Sequence, residues 1–211
     1  MKNRIDHLVM GTATLEDGVV AMEQSLGVTV PAGSKHEAMS THNRVMQAGN
    51  ASFFELIAID PEAPDPGRTR WFALDDPATQ ARLAAGPAAL TWVVNTTDLD
   101  AVVAASPVDL GEIVDFRRGE RTWRLTVPRD GALVMGGAVP SFIEWSPGPH
   151  PSTGQQDLGV TLKRVIARAE DPQALSEIFA RLSIADLAEI ESGDSGVAFD
   201  FETPLGERRL A

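Results

Sequence analysis

Phe53-Phe54-Glu55-Leu56-Ile57 is a short apolar strand with a single carboxylate set among large side chains. A second stretch, Phe142-Ile143-Glu144-Trp145, repeats the arrangement. An ionised carboxylate between apolar neighbours is costly to bury unless something pairs with it, so two such strands imply a shared partner, such as a metal ion or a polarised substrate.

Upstream of Glu55 the pattern is regular. Ile5, His7 and Val9 alternate with Asp6, Leu8 and Met10, as in a strand, and the period changes at Thr14. Thr14 can cap a helix whose stripe of Leu15, Val19, Met22 and Leu26 ends at Gly27. Strands at 42–48 and 52–59 follow, joined at Gly49-Asn50, a dipeptide suited to a tight antiparallel turn. Residues 4–59 therefore read as one helix with three strands.

Downstream, a proline-rich stretch at 60–67 interrupts the pattern, and 70–85 reads as a connecting helix. The pattern then restarts. Ala89 to Val94 forms a strand, a short helix begins at Asp98, and strands at 110–117, 121–127 and 141–145 complete a second unit whose last strand holds Glu144. This is a duplicated supersecondary unit. A breaker-rich loop at 146–154 leads to a third start: a strand at 162–167, a helix capped by Asp171 with Pro172 in its first turn, and strands at 189–191, 197–201 and 207–210. No glutamate sits among large apolar residues there. The fold class expected is α+β, with paired modules at 4–60 and 88–146 in one domain (4–146) and a partial third module at 158–211.

Composition bounds the function. With 211 residues and 43% apolar content the chain can bury a substantial core. Thirty acidic against 18 basic side chains give a formal charge of −12, which repels phosphate backbones and anionic lipid and argues against nucleic-acid or membrane partners. Cysteine is absent, which removes thiol catalysis. The first ten residues are too interrupted for a signal peptide and no later stretch would span a bilayer, so a cytoplasmic location is expected.

Strand alternation places His7 with Ile5 and Val9, Glu55 with Phe53 and Ile57, and Glu144 with Phe142. On the concave faces of a curved sheet these groups would share one apolar cavity, the usual form of a small-molecule site. The blander reading pairs each glutamate with an arginine such as Arg124 and makes His7 a core histidine. Arg124, alternating with Trp123 and Leu125, could instead grip a substrate carboxylate or lie on a solvated face. Trp92 could line the pocket or fill the core.

Asp6-His7-Leu8-Val9, the helix from Leu15 to Gly27, Thr41-His42-Asn43 and Phe54-Glu55-Leu56-Ile57-Ala58 together resemble the glyoxalase-like branch of the vicinal oxygen chelate superfamily. The resemblance is strongest over 4–60 and extends through 146. It implies paired βαβββ modules folded into a cup, with a divalent metal held by the first and last strands of each module. Carried over, it makes His7, Glu55 and Glu144 metal ligands, Glu55 or Glu144 a catalytic base, and His42, Asn43, Trp92 and Arg124 substrate-binding residues. The fourth metal corner would fall on Thr91 or Trp92, neither of them a good ligand. His42 or the loop residue His150 could supply an imidazole instead. The implied cofactor is Mn, Fe, Mg or Zn, or none. The implied activity is that of a lyase, isomerase or oxygenase acting on adjacent oxygens of a small molecule. The alternatives are a non-catalytic small-molecule binder of the same fold, and an interaction module whose extra unit pairs with a second subunit as a homodimer.

Overall fold

The computed structural model describes residues 3–49 and 51–211; Asn50 of the expected Gly49-Asn50 turn lies outside the described residues. The first module comprises β1 (Arg4–Gly11), α1 (Leu15–Leu26), β2 (Ala32–His36), β3 (Thr41–Gln47) and β4 (Phe53–Ile59). After α2 (Pro77–Ala85), the second comprises β5 (Ala88–Asn95), α3 (Leu99–Ala105), β6 (Glu112–Arg118), β7 (Arg121–Val127) and β8 (Ser141–Trp145). These strands form one curled eight-stranded sheet in the order β2-β3-β4-β1-β5-β8-β7-β6. The modules meet where β1 pairs antiparallel with β5, and each first strand lies parallel to its module's last, β4 or β8. No described helix is long and apolar enough to cross a membrane.

The helices start where the sequence supplies caps. Thr14 Oγ1 accepts from Asp17 N, Asp76 from Thr79 N and Asp98 from Ala101 N, satisfying donors that a helix leaves open in its first turn. The helix expected over 70–85 begins only at Pro77. Proline disfavours helical backbone in the residue before it, and Asp76 is accordingly extended. Residues 71–75 instead form a tight turn, with Phe72 (φ 58°) and Ala73 (φ 54°) left-handed. Such backbone is unfavourable for non-glycine residues, and here it drives Trp71, Phe72 and Leu74 into the cup.

One strand of the first module escapes sequence reading. β2 (Ala-Gly-Ser-Lys-His) carries no β-branched or alternating apolar side chains because it is an exposed edge strand held by β3 alone.

The sheet separates two cores. Its outer face packs Leu8, Phe54, Trp92 and Phe142 against α1, α3 and the third unit, made of β9 (Thr161–Ala169), α4 (Pro172–Arg181), β10 (Glu189–Ser192), β11 (Gly196–Thr203) and β12 (Gly206–Leu210). That unit has the module's element order but a different sheet, β10-β9-β11-β12, in which β9 is central. Phe201 meets Phe54 and Phe179 meets Trp92 edge-on, so the third unit's apolar face is covered by the cup of the same chain. The inner core holds Val9, Ile57, Val93, Phe116, Trp123 and Ile143 together with Trp71, Phe72, Leu74 and Leu83 from the linker and α2. The linker thus plugs most of the cup.

Candidate functional site

What the plug leaves open is a cavity of about 70 Å³ over the first module. Aromatic walls from Phe53, Trp71, Phe72, Trp123 and Trp145 surround His7, His36, Asn43, Glu55 and Arg118.

A bulge in β1 builds this site. Ile5 faces Val94 and His7 faces Val93, so the intervening Asp6 has no partner across the ladder. Simple alternation predicts Asp6 on the outer face with Leu8; the bulge instead lets Asp6 and His7 interact side by side while Ile5 joins the outer core. Asp6 is fully buried and accepts from His7 Nδ1 at 2.7 Å, Trp145 Nε1 at 2.8 Å and His150 Nε2 at 2.9 Å. Burial acts to raise its pKa, but the hydrogen bonds from His150 and His7 outweigh it and hold the carboxyl well below the ordinary carboxylate range. An ionised Asp6 only accepts, so His7 carries its proton on Nδ1 when neutral and turns Nε2 to the cavity. The His7 ring stacks on Phe53 with centroids 4.5 Å apart.

Glu55, 5% exposed, stands opposite. Asn43 donates to its Oε1 at 2.5 Å, and Asn43 Oδ1 accepts from Ser34 N at 2.8 Å, which fixes the amide's orientation. Oε2 lies 3.6 Å from His7 Nε2, and neither atom has a hydrogen-bond partner among the described residues. His36, from the edge strand that the sequence hid, places Nε2 3.9 Å from Glu55 Oε1 and 3.4 Å from the Asn43 amide. Burial lowers its pKa to about 4, against the opposing pull of Glu55. His36 is therefore neutral at pH 7.

Gly33 is required for this arrangement. A Cβ there would lie 2.1 Å from Asn43 Oδ1 and 2.8 Å from its carbonyl oxygen. Gly33→Ala is expected to push Asn43 off Glu55 and to cost roughly 1–3 kcal/mol by overpacking, measurable by urea unfolding.

His36 makes stability depend on pH. Its pKa falls from 6.5 in the unfolded chain to about 4 when folded, so the unfolded state binds the extra proton between those values. Its contribution is complete above pH 6.5 and is lost as the pH falls toward 4, by roughly 3 kcal/mol. Urea unfolding between pH 4 and 7 should show this slope, and His36→Gln should remove its share.

Glu144 stands apart from the site. On β8 the inward residues are Ile143 and Trp145, so Glu144 shares the outer face with Phe142. There Arg124 Nε donates to Glu144 at 2.7 Å and its Nη1 to Asp100 of α3 at 2.8 Å, on an open surface groove. Trp92 is fully buried in the outer core and donates Nε1 to Ala138 O. His42 alternates with Asn43 and Val45, which line the cavity, and so turns to the other face. Thr91 is buried and donates to Trp92 O. His150, by contrast, reaches inward from the 146–154 loop, whose neighbours Pro151 and Gln155 line the cavity. Sequence reading missed Asp6, His36, Arg118, Trp71 and Trp145. Arg118 was legible, because it alternates with the inner-core residues Phe116 and Val114.

The donor set does not fit the divalent metal implied by the resemblance. Among the described residues no three histidine, aspartate or glutamate side chains converge to hold one. Only two donor atoms are free, His7 Nε2 and Glu55 Oε2, because His36 Nε2 faces the Asn43 amide N–H; a divalent site needs at least a third.

Two βαβββ modules sharing one curled sheet, with polar residues converging inside it, define the architecture of the vicinal oxygen chelate superfamily. The sequence matches the glyoxalase-like domain family over residues 5–183, and the chain belongs to that family. The match runs beyond the cup into β9 and α4. Among solved structures, a hypothetical protein from Staphylococcus aureus superposes with a TM-score of 0.59 at 15% identity, covering 99% of this chain and 85% of that one. Methylmalonyl-CoA epimerase from Mycobacterium tuberculosis gives a TM-score of 0.42 at 18% identity over 72% of this chain and 92% of its own. No curated protein matches the sequence.

Proposed function

We propose that this protein is a small-molecule enzyme that moves a proton at a carbon next to a carbonyl group, as an isomerase or lyase, with Glu55 as the base. The observation that carries this reading is the pair of atoms facing the cavity without internal partners, Glu55 Oε2 and His7 Nε2, 3.6 Å apart. That separation suits the two ends of an H–C–C=O unit. Glu55 would take the proton from carbon, the C–H electron pair would move into the enolate, and protonated His7 would donate to the enolate oxygen. Asp6 would orient His7 and stabilise its protonated form, as an aspartate does in other acid–base pairs. Return of a proton to carbon, or loss of a leaving group from the neighbouring atom, completes turnover. The aromatic walls keep water from the enolate.

The second reading, a non-catalytic binder, is favoured by the smallness of the cavity. Proton NMR in deuterium oxide separates the two. An enzyme exchanges the carbonyl-adjacent protons of small oxo compounds at a rate proportional to protein concentration, whereas a binder leaves them at the buffer rate.

A further inference from the structure

Among the described residues Arg118 is the one cationic side chain other than histidine that lines the cavity, and no carboxylate lies within ion-pair distance of it. Arg124, Arg68, Arg70 and Arg164 each form an ion pair with a carboxylate. Arg118 forms none among the described residues: Glu55's close partners are His7, His36 and Asn43. The guanidinium is half-buried at the end of β6, stacked over Trp123 with its carbon 5.7 Å from the ring centroid, and Nη1 donates to Ser34 Oγ. Burial, the largest influence on it, disfavours its charged form, and the more distant charge of Glu55 offsets this only in part.

These contacts fix the plane of the guanidinium and leave Nε and Nη2 free of protein hydrogen bonds among the described residues. A planar fork of two N–H donors in a partly dry, aromatic-walled pocket matches a carboxylate, which takes two parallel hydrogen bonds and cancels the charge. On the same sheet face, Glu55 and His7 hold the atoms that would act on the neighbouring carbon. The cation that sequence reading offered for this task, Arg124, is already neutralised by Glu144 and Asp100.

We propose that Arg118 is the anion-binding residue of this cavity and that the substrate is a small oxo-carboxylic acid held through its carboxylate. The acid's carbonyl-adjacent carbon would then face Glu55; this part rests on the proton-transfer reading above.

The test uses pyruvate, 2-oxobutyrate and acetoacetate beside their neutral amides, with binding read by quenching of tryptophan fluorescence, since Trp71, Trp123 and Trp145 line the cavity. At least one acid should bind the wild-type protein about ten- to a hundred-fold more tightly than its amide, the range expected for hydrogen bonds to a charged group. Arg118→Gln should abolish that preference, and Arg118→Lys, which keeps charge without the fork, should retain part of it. Equal affinity for every acid and its amide, or a preference that survives Arg118→Gln, would overturn the assignment. The acid-to-amide comparison needs only wild-type protein, so it stands even where a variant folds poorly. Deuterium exchange in the same samples distinguishes the two proposals: amides exchanged as fast as acids would sink this one alone, and Arg118-dependent binding of acids without exchange would sink the proton-transfer reading alone.

Discussion

Glu55→Gln is expected to lower the rate of proton exchange at a carbonyl-adjacent carbon by about 10²- to 10⁴-fold, the usual contribution of a positioned general base. The substitution is nearly isosteric. Its amide oxygen can still accept from Asn43, which now donates to Oε1, so the pocket should keep its shape and ligands should still bind. The change is confined to the group facing His7, where an amide has no lone pair basic enough to take a proton from carbon. Glu55→Asp tests the geometry separately, because it keeps the carboxylate and withdraws it by one methylene from a position 3.6 Å from His7 Nε2. Steady-state exchange rates and ligand affinity for both variants divide the two roles: loss of rate with affinity kept marks a base, and loss of both marks a scaffold residue.

Asp6→Ala is expected to destabilise the fold by about 3–5 kcal/mol, measured by urea or thermal unfolding. Three N–H donors, from His7, Trp145 and His150, converge on this one buried carboxylate, and removing it leaves all of them without this acceptor in a largely buried site. The damage would spread, because these donors come from β1, β8 and the 146–154 loop, so Asp6 ties the two modules and the loop together. Asp6→Asn should cost less in stability, since its oxygen still accepts, but its amide hydrogens must face one of the donors. The pH behaviour distinguishes this contribution from that of His36. The folded pKa of Asp6 is depressed, so its contribution is complete above the unfolded value of 3.8 and is lost only as the pH falls below it. The His36 contribution has already been lost between 6.5 and about 4.

Much of the architecture was visible in the chain because it rests on period. Stripes such as Leu15, Val19, Met22 and Leu26, caps at Thr14, Asp98 and Asp171, and the alternation of β3, β4, β7 and β8 are local signals that the tertiary structure keeps. The site was less visible because three departures from period build it. The bulge between Ile5 and His7 brings Asp6 to the side of His7, which alternation alone denies it. The edge strand β2 has no apolar pattern to announce it, and with it went His36. The turn at Trp71-Phe72-Ala73 looks helical from composition, yet it carries left-handed residues that fill the cup. Glu144 shows the converse. Its sequence surroundings match those of Glu55, but β8 presents Ile143 and Trp145 inward, one step out of phase with the glutamate. A shift of one residue along a strand moves a side chain to the other face of the sheet. Among the described residues the inside of the cup therefore carries one polar cluster, built mainly by the first module, with the second supplying Arg118, Trp123 and Trp145.

The central claim is that Glu55 takes a proton from carbon while His7 donates to the enolate oxygen. Its most direct test is deuterium incorporation into small oxo acids by wild-type protein and Glu55→Gln side by side, followed by NMR. The structure predicts exchange of at least one acid at a rate proportional to wild-type concentration and at least a hundredfold slower with Glu55→Gln. Saturable binding of those acids with no exchange above the buffer rate, or exchange undiminished in Glu55→Gln, would contradict it.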